Sequence, residues 1–151
     1  MPSQATSYFY TIVAMGVVAL MITNAFKIQV AGLEAVSDRQ ALRELLEAVA
    51  TEATELIAFT EATNATAKVS LQTPTLIGDK EYWIRLHSDA TEAWVEGAFG
   101  EPWAGNPEYR VELPWGVSAV GTYRGGFGTP MMNSTIQGGD PAVTLGRWES
   151  G

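Results

Sequence analysis

From Tyr8 to Phe26 the chain reads YFYTIVAMGVVALMITNAF, and the first charged residue anywhere is Lys27. The few polar members of this run are Thr11, Thr23, Asn24 and the tyrosine hydroxyls, most of them near its ends. A helix needs about 20 apolar residues, at roughly 1.5 Å rise each, to cover the hydrocarbon core of a bilayer. Backbone in lipid must satisfy its own hydrogen bonds, so the run predicts a membrane-spanning helix. Tyr8, Phe9 and Tyr10 suit the half-wet membrane interface. The buried central helix of a soluble domain fits less well, because such helices are shorter and amphipathic. A removable signal has a basic front and an apolar run of about 7–15 residues. The front here, MPSQATS, has no Lys or Arg and the run is longer, so a retained anchor is expected.

Beyond Lys27 the pattern changes but stays helical. Ile28 to Ala58 contains no helix breaker except Gly32, which costs about 1 kcal/mol. From Leu42 the apolar positions are Leu42, Leu45, Leu46, Val49, Ala53, Leu56 and Ile57, one stripe of a 3.6-residue period. The other face carries Arg43, Glu44, Glu47, Thr51, Glu52 and Glu55. Ser37 or Asp38 offers a cap for a fresh helix start. The preferred expectation is one helix from about Tyr8 to about Thr60, its stripe packed on whatever follows.

Thr60 to Ala67 (TEATNATA) is a polar break, after which the period drops to two. Lys68–Gln72, Glu81–Ser88, Glu92–Phe99, Tyr109–Leu113, Val117–Tyr123 and Val143–Trp148 read as short strands separated by Gly and Pro turns. The expected architecture is α+β. A long N-terminal hydrophobic helix with its amphipathic extension (1–62) precedes a small antiparallel β-sandwich or barrel-like domain (63–151).

Composition narrows the chemistry. The 151 residues carry a net charge of -8, none of it from the apolar run, which disfavours nucleic acid and anionic lipid surfaces. There is no cysteine, and His87 is the one histidine, so thiolate sites and histidine clusters are excluded. His87 falls in an alternating strand and reads as a surface or edge residue. No pair among the 17 acids is singled out by spacing. Gly125-Gly126-Phe127-Gly128 lacks the Lys-Ser/Thr end of a phosphate loop and reads as a tight turn. No catalytic, metal-binding or cofactor-binding residue is expected, and no small-molecule substrate. Trp83, Trp94, Trp103, Trp115 and Trp148 read chiefly as core or subunit interface. An anchored external module that contacts glycan or a surface-layer protein through Trp103 or Trp115 is the alternative.

Asn64-Ala65-Thr66 and Asn133-Ser134-Thr135 match the N-glycosylation pattern, and both fall in expected loops, which favours an external domain. Lys27, Arg39 and Arg43 follow the apolar run and, taken alone, place that side inside; Glu34, Asp38 and Glu44 offset them.

The apolar helix, its amphipathic extension and the β-rich remainder make one plan. ATELIAFTEATNATAKVSLQTPTLIGDKEYWIRL runs from helix through a Val-Ser-Leu strand and a proline to Ile-Gly-x-x-x-Tyr at the next strand. VELPWGVSAVGTYRGGFG runs from strand through Pro and small residues to a Gly-rich turn. Over most of its length the chain resembles archaeal type IV pilin-like proteins, including subunits of archaeal pili and archaella. It departs from the plan in having neither a basic stretch and small residue ahead of the apolar run nor a Glu near its start. The resemblance implies a membrane-held subunit, major, minor or accessory. It joins sister copies or other pilin-like subunits in a helical surface filament, with its β domain outside the cell. Ala14, Gly16, Ala19 and Ala25 permit close helix approach, and Tyr8, Ile12, Leu20 and Phe26 are the larger packing residues expected beside them.

Overall fold

The computed structural model describes residues 2–101 and 106–147. Its first element, α1 (Pro2–Thr63), is a single α-helix of 62 residues, so Gly32 is absorbed without a break. The helix stops at Asn64, which takes the left-handed conformation (φ 53°) and donates its N–H to the Thr60 carbonyl at 2.8 Å. Asparagine is the residue after glycine that best tolerates this terminating geometry. The chain divides into two compact units, Met1–Ser37 and Asp38–Gly151. The second unit thus begins inside the helix, ahead of the compositional boundary at 62/63, because the amphipathic part of α1 belongs with the sheet.

Seven strands follow: β1 (Ala67–Ser70), β2 (Tyr82–Ser88), β3 (Ala93–Phe99), β4 (Tyr109–Glu112), β5 (Ser118–Arg124), β6 (Pro130–Gln137) and β7 (Asp140–Arg147). The α+β arrangement is present. The strands form one sheet of order β1-β6-β7-β5-β2-β3-β4, not the two layers of a sandwich. All neighbours are antiparallel except β5 and β7. The physical reason lies in the helix. The face of the sheet that carries Ile84, Leu86 and Val95 needs an apolar partner layer, and the Leu42–Ile57 stripe supplies it. Leu42, Leu46, Val49, Ala53 and Ile57 are buried with Ile84, Leu86, Val95, Tyr123, Met132, Val143 and Leu145 in one cluster.

Helix and sheet approach closely at Gly97 of β3. A β-carbon there falls 3.0 Å from the Leu46 Cδ2 methyl and 2.7 Å from the Trp83 carbonyl oxygen, so only glycine fits under the helix. At the start of the unit, Lys80 pairs with Asp38 at 3.1 Å. Gly78, at φ +64°, leaves no room for a β-carbon beside the Asp38 carboxylate. The Ile77–Lys80 turn is thereby clipped to α1. Burial pushes the Tyr82 phenol above its usual 10.0, and its hydroxyl donates to the Pro74 carbonyl.

The β2–β3 connection is tied by Asp89, whose Oδ1 accepts from the backbone N–H of Thr91 at 2.8 Å and of Glu92 at 2.7 Å. Those two bonds hold its carboxyl below the usual 3.8. A depressed carboxylate pKa adds stability above the ordinary value, and that increment disappears as pH falls through the lowered one. The Asp89 turn is therefore expected to loosen only in strong acid.

Two inward positions test this packing. Leu46→Ala is expected to cost about 2–5 kcal/mol in denaturant unfolding, as for other fully buried leucines. Ser134 is fully buried on the inner face and its Oγ has no partner among the described residues. Ser134→Ala removes a desolvated hydroxyl and should raise stability by about 1 kcal/mol.

Candidate assembly surface

In the unit Met1–Ser37 every described residue, from Pro2 onward, is helical. Sixteen large apolar side chains between Tyr8 and Val36 are exposed. Tyr8, Ile12, Leu20 and Phe26 are each exposed by 63% or more, and Ala14, Gly16, Ala19 and Ala25 are exposed between them. The best 18-residue window has mean hydropathy 1.9 and none of it is buried. By length and composition this helix is able to cross a membrane.

Two polar groups in the run are neutralised locally. Thr11 Oγ1 donates to the Ser7 carbonyl and Thr23 Oγ1 to the Ala19 carbonyl, both at 2.9 Å. Such back-bonding leaves neither threonine hydroxyl unsatisfied in an apolar medium. Lys27 has a four-carbon stem with which to carry its ammonium toward water.

The remaining sequence candidates fall in unit Asp38–Gly151. Asn64 is exposed, at the left-handed cap of α1. Asn133 differs from expectation. It lies within β6, between Lys68 of β1 and Thr144 of β7, with its Oδ1 buried and unpartnered among the described residues. The stretch PMMNSTIQ opens on proline and holds one β-branched aliphatic residue, so it read as loop. Pairing on both flanks overrides that weak local preference. The hydroxyls of the two acceptor triplets meet: Thr66 Oγ1 donates to Thr135 Oγ1 at 3.3 Å.

The tryptophans do not form a platform. Trp83 is fully buried and Trp94 nearly so, toward opposite ends of the β2–β3 pair, on the face away from the helix. Arg85 lies over Trp83 at 5.0 Å and Arg110 over Trp94 at 3.7 Å. His87, exposed on β2, meets Trp94 edge-on at 4.9 Å. Glu96, 6% exposed, accepts from Arg85 Nε at 2.5 Å and from Trp94 Nε1 at 2.8 Å. Sequence spacing did not single out Glu96; the alternation of β2 and β3 placed it among arginine and indole donors. Trp115 is 84% exposed in the β4–β5 loop. Trp103 and Trp148 lie outside the described residues. No group of three metal-capable side chains occurs among the described residues. Gly125–Gly128 forms the β5–β6 turn, with Gly126 and Gly128 at positive φ.

No protein-family model, no curated protein and no solved structure matches this chain.

A charge on the apolar surface is the direct test of its role. Leu20→Arg places a cation mid-run and should weaken partitioning of the chain into lipid vesicles by about 2.5–3.5 kcal/mol. On the sheet, Arg85→Ala leaves the buried Glu96 carboxylate short of its cation. It should cost roughly 2–3 kcal/mol, whereas Arg110→Ala, which breaks an exposed pair with Glu92, should cost about 1 kcal/mol or less.

Proposed function

We propose that this chain is a structural or accessory pilin-like subunit of an archaeal type IV pilus-like surface filament. Before assembly it is held in the cell membrane by the apolar part of α1. In the filament the same surface packs on sister copies or other pilin-like subunits, with the β unit in the external medium.

The observation that carries this reading is the bare apolar helix. Burying one large apolar side chain is worth about 1.5–3 kcal/mol, so sixteen partly exposed ones represent on the order of 20–40 kcal/mol of unrealised transfer free energy. That exceeds the net stability of an ordinary domain, about 5–15 kcal/mol. Something outside the chain must cover the surface, and both lipid and sister helices meet the need. Small residues favour helices as the final cover. Ala14, Gly16 and Ala19 leave room for backbones to approach, which is how apolar helices associate where no water drives them together. The exposed acceptor triplet at Asn64 supports an external β unit and a glycan there.

Removing residues 1–26 should yield a chain that no longer partitions into membranes and joins no filament. Electron microscopy of material sheared from the cell surface, with mass spectrometry of its subunits, is expected to find the intact chain in filaments. Incorporation of the truncated chain would overturn the proposal.

A further inference from the structure

The unit Met1–Ser37 holds two charged side chains, Lys27 and Glu34, one of each sign. Both are exposed, and neither has an ionic partner among the described residues. They stand seven residues apart, about 10.5 Å along the helix axis, whereas side chains that meet within a helix stand three or four apart. Two turns bring them back to nearly the same side, so they share one face without pairing. Of the two charges that follow, Asp38 is already held by Lys80 at 3.1 Å, and Arg39 falls about 140° round α1 from Glu34.

The face they share is a packing seam. Val13, Gly16, Leu20, Thr23, Lys27, Val30 and Glu34 follow one another at alternating steps of three and four, the spacing with which one helix lies along another. Thr23 bonds back to the Ala19 carbonyl. Lys27 and Glu34 are thus the members that need polar partners once water is excluded.

The apolar surface also runs past what lipid covers. At about 1.5 Å per residue it extends roughly 42 Å from Tyr8 to Val36, against about 30 Å of hydrocarbon. Fitting all of it into lipid would take a tilt of about 45°, beyond the roughly 0–40° of transmembrane helices. With Tyr8–Phe26 in the hydrocarbon, the exposed Ile28, Val30, Leu33 and Val36 reach headgroup level or beyond and need a protein cover.

Charge complementarity selects that cover. Copies anchored in one membrane by the same helix point the same way, so sister helices pack in parallel. In register they would set Lys27 against Lys27 and Glu34 against Glu34, like charges in a water-poor contact. Sliding one copy along by seven residues keeps seam position against seam position and brings opposite charges together.

We propose that copies of this chain pack through this seam with an axial offset of seven residues, about 10.5 Å, so that Glu34 of one copy pairs with Lys27 of the next. The seam of each copy lies between two neighbours, giving Glu34 to the copy on one side and Lys27 to the copy on the other. The contact is heterologous: each end of the series keeps one free charge, and the series extends without closing. The inference rests on the filament reading for the meeting of parallel copies, and adds the register and the ion pair that sets it.

Native cysteine is absent, so introduced thiols report the register directly. The full-length chain is used, in phosphatidylcholine vesicles and in cells. Val13→Cys/Leu20→Cys should give a disulfide-linked ladder on mild oxidation, because Leu20 of one copy lies beside Val13 of the next. Mixed single variants should give linked pairs, with far less self-linking by either alone. Adding Lys27→Glu to the double variant should lower the ladder yield about tenfold or more, and so should adding Glu34→Lys. Carrying both exchanges at once should restore it. All four positions are exposed and lie outside the β unit, so the substitutions leave that unit folded. Self-linking of Leu20→Cys alone as strong as the mixture would place the helices in register and overturn the offset. A ladder indifferent to Lys27→Glu, or one that the double exchange fails to restore, would overturn the ion pair. Filaments that contain the chain but yield no ladder remove the proposed register and leave the filament reading standing. A charge-dependent ladder in vesicles from a chain that joins no filament does the reverse.

Discussion

Neither the amphipathic part of α1 nor the seven-stranded sheet has a second apolar layer of its own; each is the other's. Leu46 lies over Gly97, the one position on β3 where the backbone gives way to a leucine methyl, and Tyr82, Ile84, Leu86, Val95, Val143 and Leu145 close around the stripe. Most of what is particular to the domain follows from this pairing. One sheet suffices because the helix fills the place of a second. The compact unit begins at Asp38 because the stripe begins at Leu42. The polar residues Glu47, Glu52 and Glu55 remain outside because the inward arc of the helix is fully taken.

One helix therefore meets two kinds of surroundings along its length. From Leu42 onward its apolar residues recur every three or four positions and are covered by the chain itself. Between Tyr8 and Val36 they occur around the circumference and are exposed. The difference is encoded in periodicity alone, since both parts are equally good helix. Thr11 and Thr23, bonded back to their own backbone, show how even the hydroxyls of the first part are made compatible with an apolar surrounding.

The helix and the inward face of most strands were legible in the sequence, because periods of 3.6 and 2 directly report which side is buried. Tyr82, Ile84 and Leu86 pointed one way and Trp83, Arg85 and His87 the other, as the alternation of EYWIRLHS required. What escaped was non-local. PMMNSTIQ has little intrinsic strand preference and becomes a strand only because β1 and β7 pair with it on either side, which moved Asn133 from loop to ladder. The choice between one sheet and two depended on how much apolar face the helix would cover, a sum over the whole domain. The tryptophans read as a group, yet Trp83 and Trp94 are buried, each with an arginine over its ring, while Trp115 is exposed; composition cannot separate these fates.

The order of strands in the sheet has a consequence for how the chain comes into being on the ribosome. β7, synthesised after the other six strands described, is an interior strand that joins β1 and β6 to β5, β2, β3 and β4. Until it arrives the sheet exists at best as two fragments, and β1 waits for a partner more than sixty residues downstream. Pairings this distant in sequence form late, because the loop they close must be ordered first. The Leu42–Ile57 stripe therefore passes through translation uncovered, exposed to chaperones or to misassociation until the final hairpin closes over it.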